Sequence, residues 1–104
     1  MNNILDVVSK VLAEGISGRY VHGENCSLGL VNIEKGSVLE QHHHPHEQIT
    51  YMIEGEMEME IGGQKILLTR GKYSVIPANV SHSAIAYADS TVIDVFSPVR
   101  EEYK

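Results

Sequence analysis

Six residues near the middle of the chain, 56–61, alternate strictly between a glutamate and an apolar side chain. Because successive side chains of a β-strand point to opposite faces, this pattern places the glutamates in water and the other three residues in a core. Glycines stand on both sides, at Gly55 and at Gly62, where tight turns are expected. The segment therefore predicts a half-buried antiparallel strand between two turns.

From Gly18 onward the chain continues as short apolar runs separated by Gly, Pro, Asn or Asp. Turn signals at intervals of about ten residues are typical of an antiparallel sandwich or barrel. The segments predicted to be strands are roughly 19–22, 26–34, 38–43, 48–54, 56–61, 64–69, 73–76, 82–87 and 91–96. The pattern as a whole predicts an all-β fold.

One segment before these strands has a different periodicity. Between Asn3 and Gly15 the apolar residues recur at helical spacing, and these two residues are suited to begin and end a helix. We therefore predict one short helix over residues 3–14, with its apolar side packed on a sheet.

The length of 104 residues suits one domain over 1–104, with the helix in 1–15, a barrel over 18–98 and a tail over 99–104. The net charge of −6, without a Lys/Arg cluster, argues against nucleic acid and anionic membranes as partners. A single cysteine, Cys26, cannot form an internal disulfide, and no leader or long apolar run is present. We expect a cytoplasmic protein with Cys26 in its core.

Three of the predicted strand segments, 74–76, 84–87 and 91–96, carry apolar residues on both faces. A strand of an isolated barrel needs only one apolar face, so another sheet, the helix or a second subunit must cover the other. We therefore expect a homodimer.

Four of the six histidines lie between positions 42 and 46. Neutral imidazole is the commonest protein ligand for zinc and the late first-row transition metals, and residues two apart on a strand share a face. His42 and His44 can therefore converge on one ion. Gln48 lies on the same side if the strand continues, and its side-chain oxygen would be a third ligand. The distant His82 would be the fourth.

Other assignments of this cluster stay open. His46 is an alternative ligand, and a bend at Pro45 that shifts the register by one would turn Glu47 toward the ion instead of Gln48. His43 has the wrong parity and is expected on the outer face. The isolated His22 is expected to be a surface histidine or a core histidine with its hydrogen bonds satisfied.

Asp94 interrupts an apolar strand, where an unpaired buried carboxylate would cost several kcal/mol. By alternation it shares a face with Val92 and Phe96, and it either looks into a metal cavity, accepts hydrogen bonds from a loop or pairs with an arginine. Arg100 is the natural cation to pair with Asp94 or to hold an anionic ligand, unless it is a solvated tail residue. Further candidates for lining a pocket are Tyr20, Arg19, Met52 and Tyr87.

The residues around the histidine cluster resemble the two motifs of the cupin superfamily. The residues that match the first motif are Gly36, His42, His44, Gln48 and Gly55, and those that match the second are Gly71, Pro77, Asn79, His82 and Ala86. Gln replaces the usual Glu of the first motif, and Asn79 and Ala86 replace a Gly and an Asn of the second. The resemblance implies a jelly-roll barrel, or double-stranded β-helix, with a divalent transition metal held by His42, His44, Gln48 and His82.

The replacement of Glu by Gln removes one negative charge from the expected ligand set. A divalent ion then polarises a bound oxygen more strongly, which favours Lewis-acid chemistry. The usual facial triad of iron oxygenases includes a carboxylate, so an oxygenase is disfavoured. The metal itself is left open among Zn, Ni, Mn, Fe and Cu.

The segments 44–48, 62–63 and 94–103 are similar to those of the compact cupins of the pectin-degradation type. Members of that group open cyclic 4,5-unsaturated monouronates into linear keto sugars. The resemblance implies a metal-dependent sugar isomerase or ring-opening enzyme, an anionic sugar as its small-molecule ligand, and roles in turnover for Asp94, Phe96 and Arg100.

Two other functions remain open at this point. A metal-dependent dioxygenase would contain iron or copper and take up oxygen. A cupin that binds a sugar or another effector without catalysis would release its ligand unchanged.

Overall fold

The protein is built from two antiparallel β-sheets. The computed structural model describes residues 2–104. Its ten strands are β1 (Lys10–Ala13), β2 (Ile16–His22), β3 (Ser27–Ile33), β4 (Val38–His42), β5 (Glu47–Glu54), β6 (Glu56–Ile61), β7 (Gln64–Thr69), β8 (Tyr73–Ile76), β9 (His82–Ala86) and β10 (Ser90–Ser97). Single 3-10 turns lie at Ile4–Asp6 and Glu101–Tyr103. The prediction of an all-β fold is confirmed.

The six-stranded sheet has the strand order β1-β2-β3-β10-β5-β8, and the four-stranded sheet has the order β4-β9-β6-β7. From β3 onward the chain changes sheet at every connection except the hairpin between β6 and β7. The two sheets therefore form opposite walls around a shared interior, where the apolar faces of both are buried.

The strands predicted from Gly18 onward are confirmed, although the first of them begins three residues early, at Ile16. The alternation in β6 also has the predicted sense. Met57 and Met59 are 2% and 3% exposed, whereas Glu60 lies on the outer face. The two-residue alternation of the sequence is thus enough to orient this strand, because one of its faces lies in the core and the other faces solvent.

The predicted helix over residues 3–14 is wrong beyond its first turn. Residues Ile4–Asp6 form a 3-10 turn, in which the Asn3 side chain accepts a hydrogen bond from the Leu5 amide at 2.9 Å. The following residues form β1, which pairs with β2 and leaves Val11 82% exposed. A free sheet edge supplies backbone hydrogen bonds that outweigh a weak helical pattern of β-branched residues. No helix among residues 2–104 is long and apolar enough to span a membrane.

The prediction that Cys26 lies in the core is also wrong, because this residue is exposed. It stands in the turn between β2 and β3, where its carbonyl oxygen accepts a hydrogen bond from the Gly23 amide at 2.8 Å. A turn of this kind lies at the surface since its remaining backbone groups need water.

The homodimer remains a prediction, and the outer face of β5 and β8 is the surface that we expect to form it. This outer apolar patch consists of side chains that are between 36% and 66% exposed, namely Ile49, Tyr51, Ile53, Tyr73 and Val75. Contiguous exposed apolar surface of this kind marks an interaction site. Sedimentation at micromolar concentration should give twice the mass of one chain, and Tyr51→Glu should halve that mass. A wild-type mass near that of one chain would contradict the expectation.

Candidate metal centre

The strand registers bring the inward side chains into rows. One row across the six-stranded sheet consists of Tyr20, Gly29, Asp94 and Thr50. The next row contains Ser27, Phe96 and Gln48. In the facing sheet, His42 is paired with His82 across β4 and β9. Side chains that are far apart in the sequence therefore meet at one end of the interior.

Three histidines converge at this end. His42 closes β4, His44 lies in the loop before β5, and His82 opens β9. One ring nitrogen from each can be chosen so that all three lie within 4.8 Å of one another. Two nitrogens that bind one ion at about 2.0–2.1 Å are at most about 4.2 Å apart, so these rings need only small movements to hold one metal ion.

The hydrogen bonds of these rings leave the same nitrogen free in each. Nδ1 of His42, His44 and His82 contacts the carbonyl oxygen of Glu40, His46 and Val80, respectively, at 2.9, 3.0 and 2.9 Å. A carbonyl only accepts, so each Nδ1 carries the proton and each Nε2 keeps a lone pair. Nε2 of His82 is buried without a hydrogen-bond partner among residues 2–104. A bound cation would satisfy it.

Gln48 presents its side-chain oxygen to the same point. Its Nε2 donates to Thr50 Oγ1 at 2.9 Å and to Asp94 Oδ1 at 3.2 Å, and this arrangement fixes which end of the amide is nitrogen. Its Oε1 then lies 3.0 Å from His44 Nε2, although neither atom carries a proton. Two acceptors at this distance are the arrangement that a cation between them would stabilise, so the donor set fits a metal.

The other members of the histidine-rich segment point elsewhere. His43 and Glu47 are exposed, whereas Gln48 is buried on the inner face. His46 is buried but lies outside the three-histidine group, and its Nε2 donates to the Val99 carbonyl at 3.2 Å. The bend at Pro45 therefore leaves Gln48 on the parity of His44.

His22 has both ring nitrogens engaged outside this centre. Its Nδ1 contacts Ser27 Oγ at 2.8 Å, and its Nε2 contacts the Tyr103 carbonyl at 3.1 Å. The Ser27 hydroxyl in turn accepts from the Arg100 amide at 2.9 Å. This small network holds the C-terminal turn against β2 and β3.

Burial favours the neutral form of two of the clustered imidazoles, those of His44 and His82. It lowers the pKa of His44, and it lowers the pKa of His82 from its usual 6.5 to about 4. The positive charge of Arg100 acts in the same direction on both rings. Neutral rings are the form that binds a metal ion.

Asp94 takes its hydrogen bonds from β5. Its Oδ1 accepts from Thr50 Oγ1 at 2.6 Å and from Gln48 Nε2 at 3.2 Å. Burial raises the pKa of the carboxyl group from 3.8 to about 6, although these two bonds and the charge of Arg100 act against that rise. A carboxylate with a pKa near neutrality is a better proton acceptor than an ordinary aspartate.

Arg100 does not pair with Asp94. It is 7% exposed, and its guanidinium carbon lies 4.7 Å from the ring centroid of Phe96 and 4.3 Å from that of Tyr103. Its Nε donates to a carboxylate oxygen of Glu102 at 3.0 Å, and that side chain is 52% exposed. The partner of this buried cation is therefore a solvent-facing group.

A cavity of about 340 Å³ lies between the sheets and is lined by several of the candidate site residues, although His44 and His82 are not among them. Its polar lining includes His42, Gln48, Asp94, Arg100 and Tyr20. The remaining wall is largely apolar, and β1 and the C-terminal turn contribute to its rim. A cavity of this size suits a small molecule.

The sequence of residues 29–96, which is more than half of the chain, matches the family model of the cupin domain. The chain belongs to the cupin family. It is 30% identical to the pectin degradation protein KdgF of Dickeya dadantii over 88% of this chain and 86% of that protein. The structure of KdgF from a Halomonas species is 32% identical, with a TM-score of 0.90 over 96% of this chain and 94% of the other.

A cupin from Shewanella frigidimarina, described as RmlC-like, is 25% identical, with a TM-score of 0.92 over 99% of this chain and 94% of that one. Both resemblances inferred from the sequence, to the cupins and to their pectin-degradation type, are therefore confirmed. The barrel predicted from the motifs is the fold of this cupin.

The altered motif position at Asn79 has a local explanation in this cupin. Its φ is +64°, the left-handed region in which glycine and asparagine are tolerated best. Its amide donates to the His44 carbonyl at 2.8 Å. Asparagine thus replaces the motif glycine without loss of the turn that supports the metal-centre loop.

Sequence reasoning missed two residues of this site. Thr50 lies two residues after Gln48 on β5, so strand parity already placed both on one face. Tyr103 carried no such signal, because only the C-terminal turn brings its ring against Arg100 and Tyr20.

Of the four pocket-lining candidates, Tyr20 alone lines the cavity. Met52 is buried in the core, Tyr87 is 43% exposed, and Arg19 donates to the Val7 carbonyl at 2.6 Å.

The pKa shifts predict how acid affects the metal-free cupin. Because the pKa of His82 is lowered in the folded protein, its ring is protonated in the unfolded chain first as pH falls from 6.5 to about 4. This protonation favours the unfolded chain and lowers the free energy of unfolding. The raised pKa of Asp94 has the opposite effect, because its buried charge is neutralised as pH falls through about 6. Between pH 7 and 4.5, Asp94→Asn should therefore increase the acid-induced loss of stability by about 2 kcal/mol. Urea unfolding of wild type and Asp94→Asn at pH 7 and 4.5 measures this difference. An equal loss of stability in the two proteins would contradict the effect predicted for Asp94.

Proposed function

We propose that this cupin is a metal-dependent enzyme that opens the ring of a 4,5-unsaturated monouronate and yields the linear keto sugar acid. The observation that carries the proposal is the Asp94 carboxylate. It lines the same cavity as His42 and Gln48, and it accepts a hydrogen bond from the amide of Gln48. A proton-accepting group next to a charge-stabilising centre is what a ring-opening isomerisation requires. The similarity to two pectin-degradation proteins indicates the substrate class.

The proposed metal ligands are Nε2 of His42, His44 and His82 together with Oε1 of Gln48. When bound, a divalent transition metal would polarise a substrate oxygen and stabilise negative charge on it. The chain's own part is to hold the four donor atoms in place. It does so through the carbonyl contacts of the rings and through the bonds from the Gln48 amide to Thr50 and Asp94.

Arg100 is proposed to bind the substrate carboxylate. Its guanidinium packs against the rings of both Phe96 and Tyr103, so little side-chain freedom is lost when a ligand binds. Glu102 is half exposed and can exchange with a ligand carboxylate by moving into water. Phe96, 2% exposed, would then form a wall beside the sugar ring.

Asp94 is proposed to move one proton. It accepts the proton of the hydroxyl on C1, the bond between C1 and the ring oxygen breaks, and an aldehyde forms at C1. The ring oxygen becomes the enolate oxygen on C5, and return of the proton to C4 produces the ketone at C5. Atoms and electrons balance without an oxidant, since the reaction transfers one proton from O1 to C4. The raised pKa of Asp94 suits both directions of transfer.

The direct test uses metal-loaded protein and unsaturated monouronate released from pectin fragments. We expect the ultraviolet absorbance of the conjugated double bond to disappear while an equal amount of keto acid forms, without oxygen uptake. Oxygen consumption matched to turnover would favour a dioxygenase instead. A sugar that binds and is recovered unchanged would favour a non-catalytic cupin.

The same assay tests the carboxylate site. Arg100→Lys keeps the charge but loses the planar guanidinium, so KM should rise by about 10-fold or more. Arg70→Lys is the matched control, because Arg70 is exposed and outside the cavity. An unchanged KM in Arg100→Lys would show that the substrate carboxylate binds elsewhere.

A further inference from the structure

One polar group of the cavity has no task in the scheme above. Tyr20 projects from the inner face of β2, is 5% exposed and lines the cavity. Within residues 2–104 its hydroxyl makes no hydrogen bond, and unlike Nε2 of His82 it is not completely enclosed. The rest of the nearby wall is mainly apolar. A hydroxyl that faces a cavity without a partner from the protein is available to a ligand.

Two glycines hold the ring of Tyr20 flat against the sheet. A Cβ on Gly18 would lie 2.7 Å from ring atom Cε2, and a Cβ on Gly29 would overlap Cε1. Tyr103 stacks on the ring, with centroids 4.4 Å apart and planes inclined by 30°. The ring is therefore confined, and its hydroxyl has a defined position.

Tyr20 starts in the strand row that contains Asp94, and its hydroxyl lies beside Gly18 in the neighbouring row. Tyr20 is paired with Gly29, and Gly29 with Asp94, so the two functional side chains lie in one row with no side chain between them. Burial raises the pKa of Tyr20, and the charge of Asp94 adds to the rise. The phenol therefore stays protonated and can act as a hydrogen-bond donor.

We propose that the Tyr20 hydroxyl donates a hydrogen bond to a ring hydroxyl oxygen of the substrate and makes the site selective for a hydroxylated sugar acid. This inference rests on the proposed function and extends it. Arg100 would bind the carboxylate of the ligand, and Tyr20 would recognise a hydroxyl elsewhere on the ring. A site built to hydrogen-bond a ligand hydroxyl discriminates strongly against an analogue that lacks it.

The test compares Tyr20→Phe with Tyr73→Phe, a control at a 66% exposed tyrosine. Phenylalanine keeps the ring that stacks on Tyr103 and removes only the donor. We expect KM for the unsaturated monouronate to rise by about 10-fold in Tyr20→Phe, with kcat within about twofold of wild type and an unchanged melting temperature. Tyr73→Phe should match wild type.

Substrate analogues separate recognition from a packing effect. With the 2-deoxy and 3-deoxy forms of the sugar, the KM difference between wild type and Tyr20→Phe should vanish for the form that lacks the contacted hydroxyl. A difference that persists with both forms would overturn the proposal.

Two further results would also overturn it. One is a wild-type KM in Tyr20→Phe, and the other is a lower melting temperature with normal kinetics of the folded protein. If wild type neither binds nor converts the monouronate, the proposed function fails first and the role of Tyr20 fails with it. If only the prediction for Tyr20 is wrong, wild type still converts the monouronate, so the two outcomes can be told apart.

Discussion

Replacing Asp94 by asparagine is expected to lower turnover by about 10²-fold or more, with metal content and fold retained. Asparagine has nearly the same size, and its side-chain oxygen can still accept from Thr50 and Gln48, the two groups that now donate to Oδ1. It cannot take up the proton from the C1 hydroxyl. The quantity to measure is kcat per folded, metal-loaded molecule.

Asp6→Asn is the matched control, since Asp6 is exposed in the N-terminal 3-10 turn. It should have wild-type turnover. A fully active Asp94→Asn enzyme would end the proposed mechanism. A variant that loses metal and activity together would show that Asp94 acts through Gln48, as a residue that positions a ligand.

Removal of the metal should lower the melting temperature by about 10–20 °C. A ligand present at a hundredfold excess over its Kd stabilises the folded state by about 2.7 kcal/mol, and each kcal/mol shifts the melting temperature of a domain this size by about 4–8 °C. The centre joins β4, β9 and the start of β5, so the ion would cross-link both sheets. Melting curves at neutral pH with and without chelator measure the shift.

His82→Ala should abolish this shift, because it removes a buried nitrogen that otherwise has no partner within the described chain. His43→Ala should preserve it, since His43 belongs to the same histidine run but is exposed. Metal content measured on untreated protein should follow the same order. Identical melting curves with and without chelator in wild type would contradict a metal that supports the barrel.

The predicted ligand positions show how far strand parity can be extended. Their spacing alone predicts that His42, His44 and Gln48 lie on one side, and in the structure His44 lies next to both of the others. Parity was sufficient here because the inner face of β5 is buried and the outer face is not. The helix over 3–14 failed for the opposite reason. That segment buries neither face fully, so its apolar spacing had little energetic consequence.

The alternatives left open for Asp94 and Arg100 could be resolved only in three dimensions. The sequence allowed these two residues to pair, but Asp94 accepts hydrogen bonds from β5, and Arg100 pairs with Glu102. Their separation depends on the path of the C-terminal turn. That path is held by Ser27 and His22, which lie more than seventy residues earlier in the chain.

By itself, the sequence determined the periodicity of nine strands and the clustering of side chains that are candidate metal ligands. These are local properties, set by the two-residue repeat of a strand and by the chemistry of each side chain. Only the tertiary structure decided the orientation of the Gln48 amide, the partner of Arg100 and the confinement of Tyr20 between Tyr103 and two glycines. Each of these depends on contacts between strands or turns distant in sequence, where register and chain path select one partner among several that the composition allows.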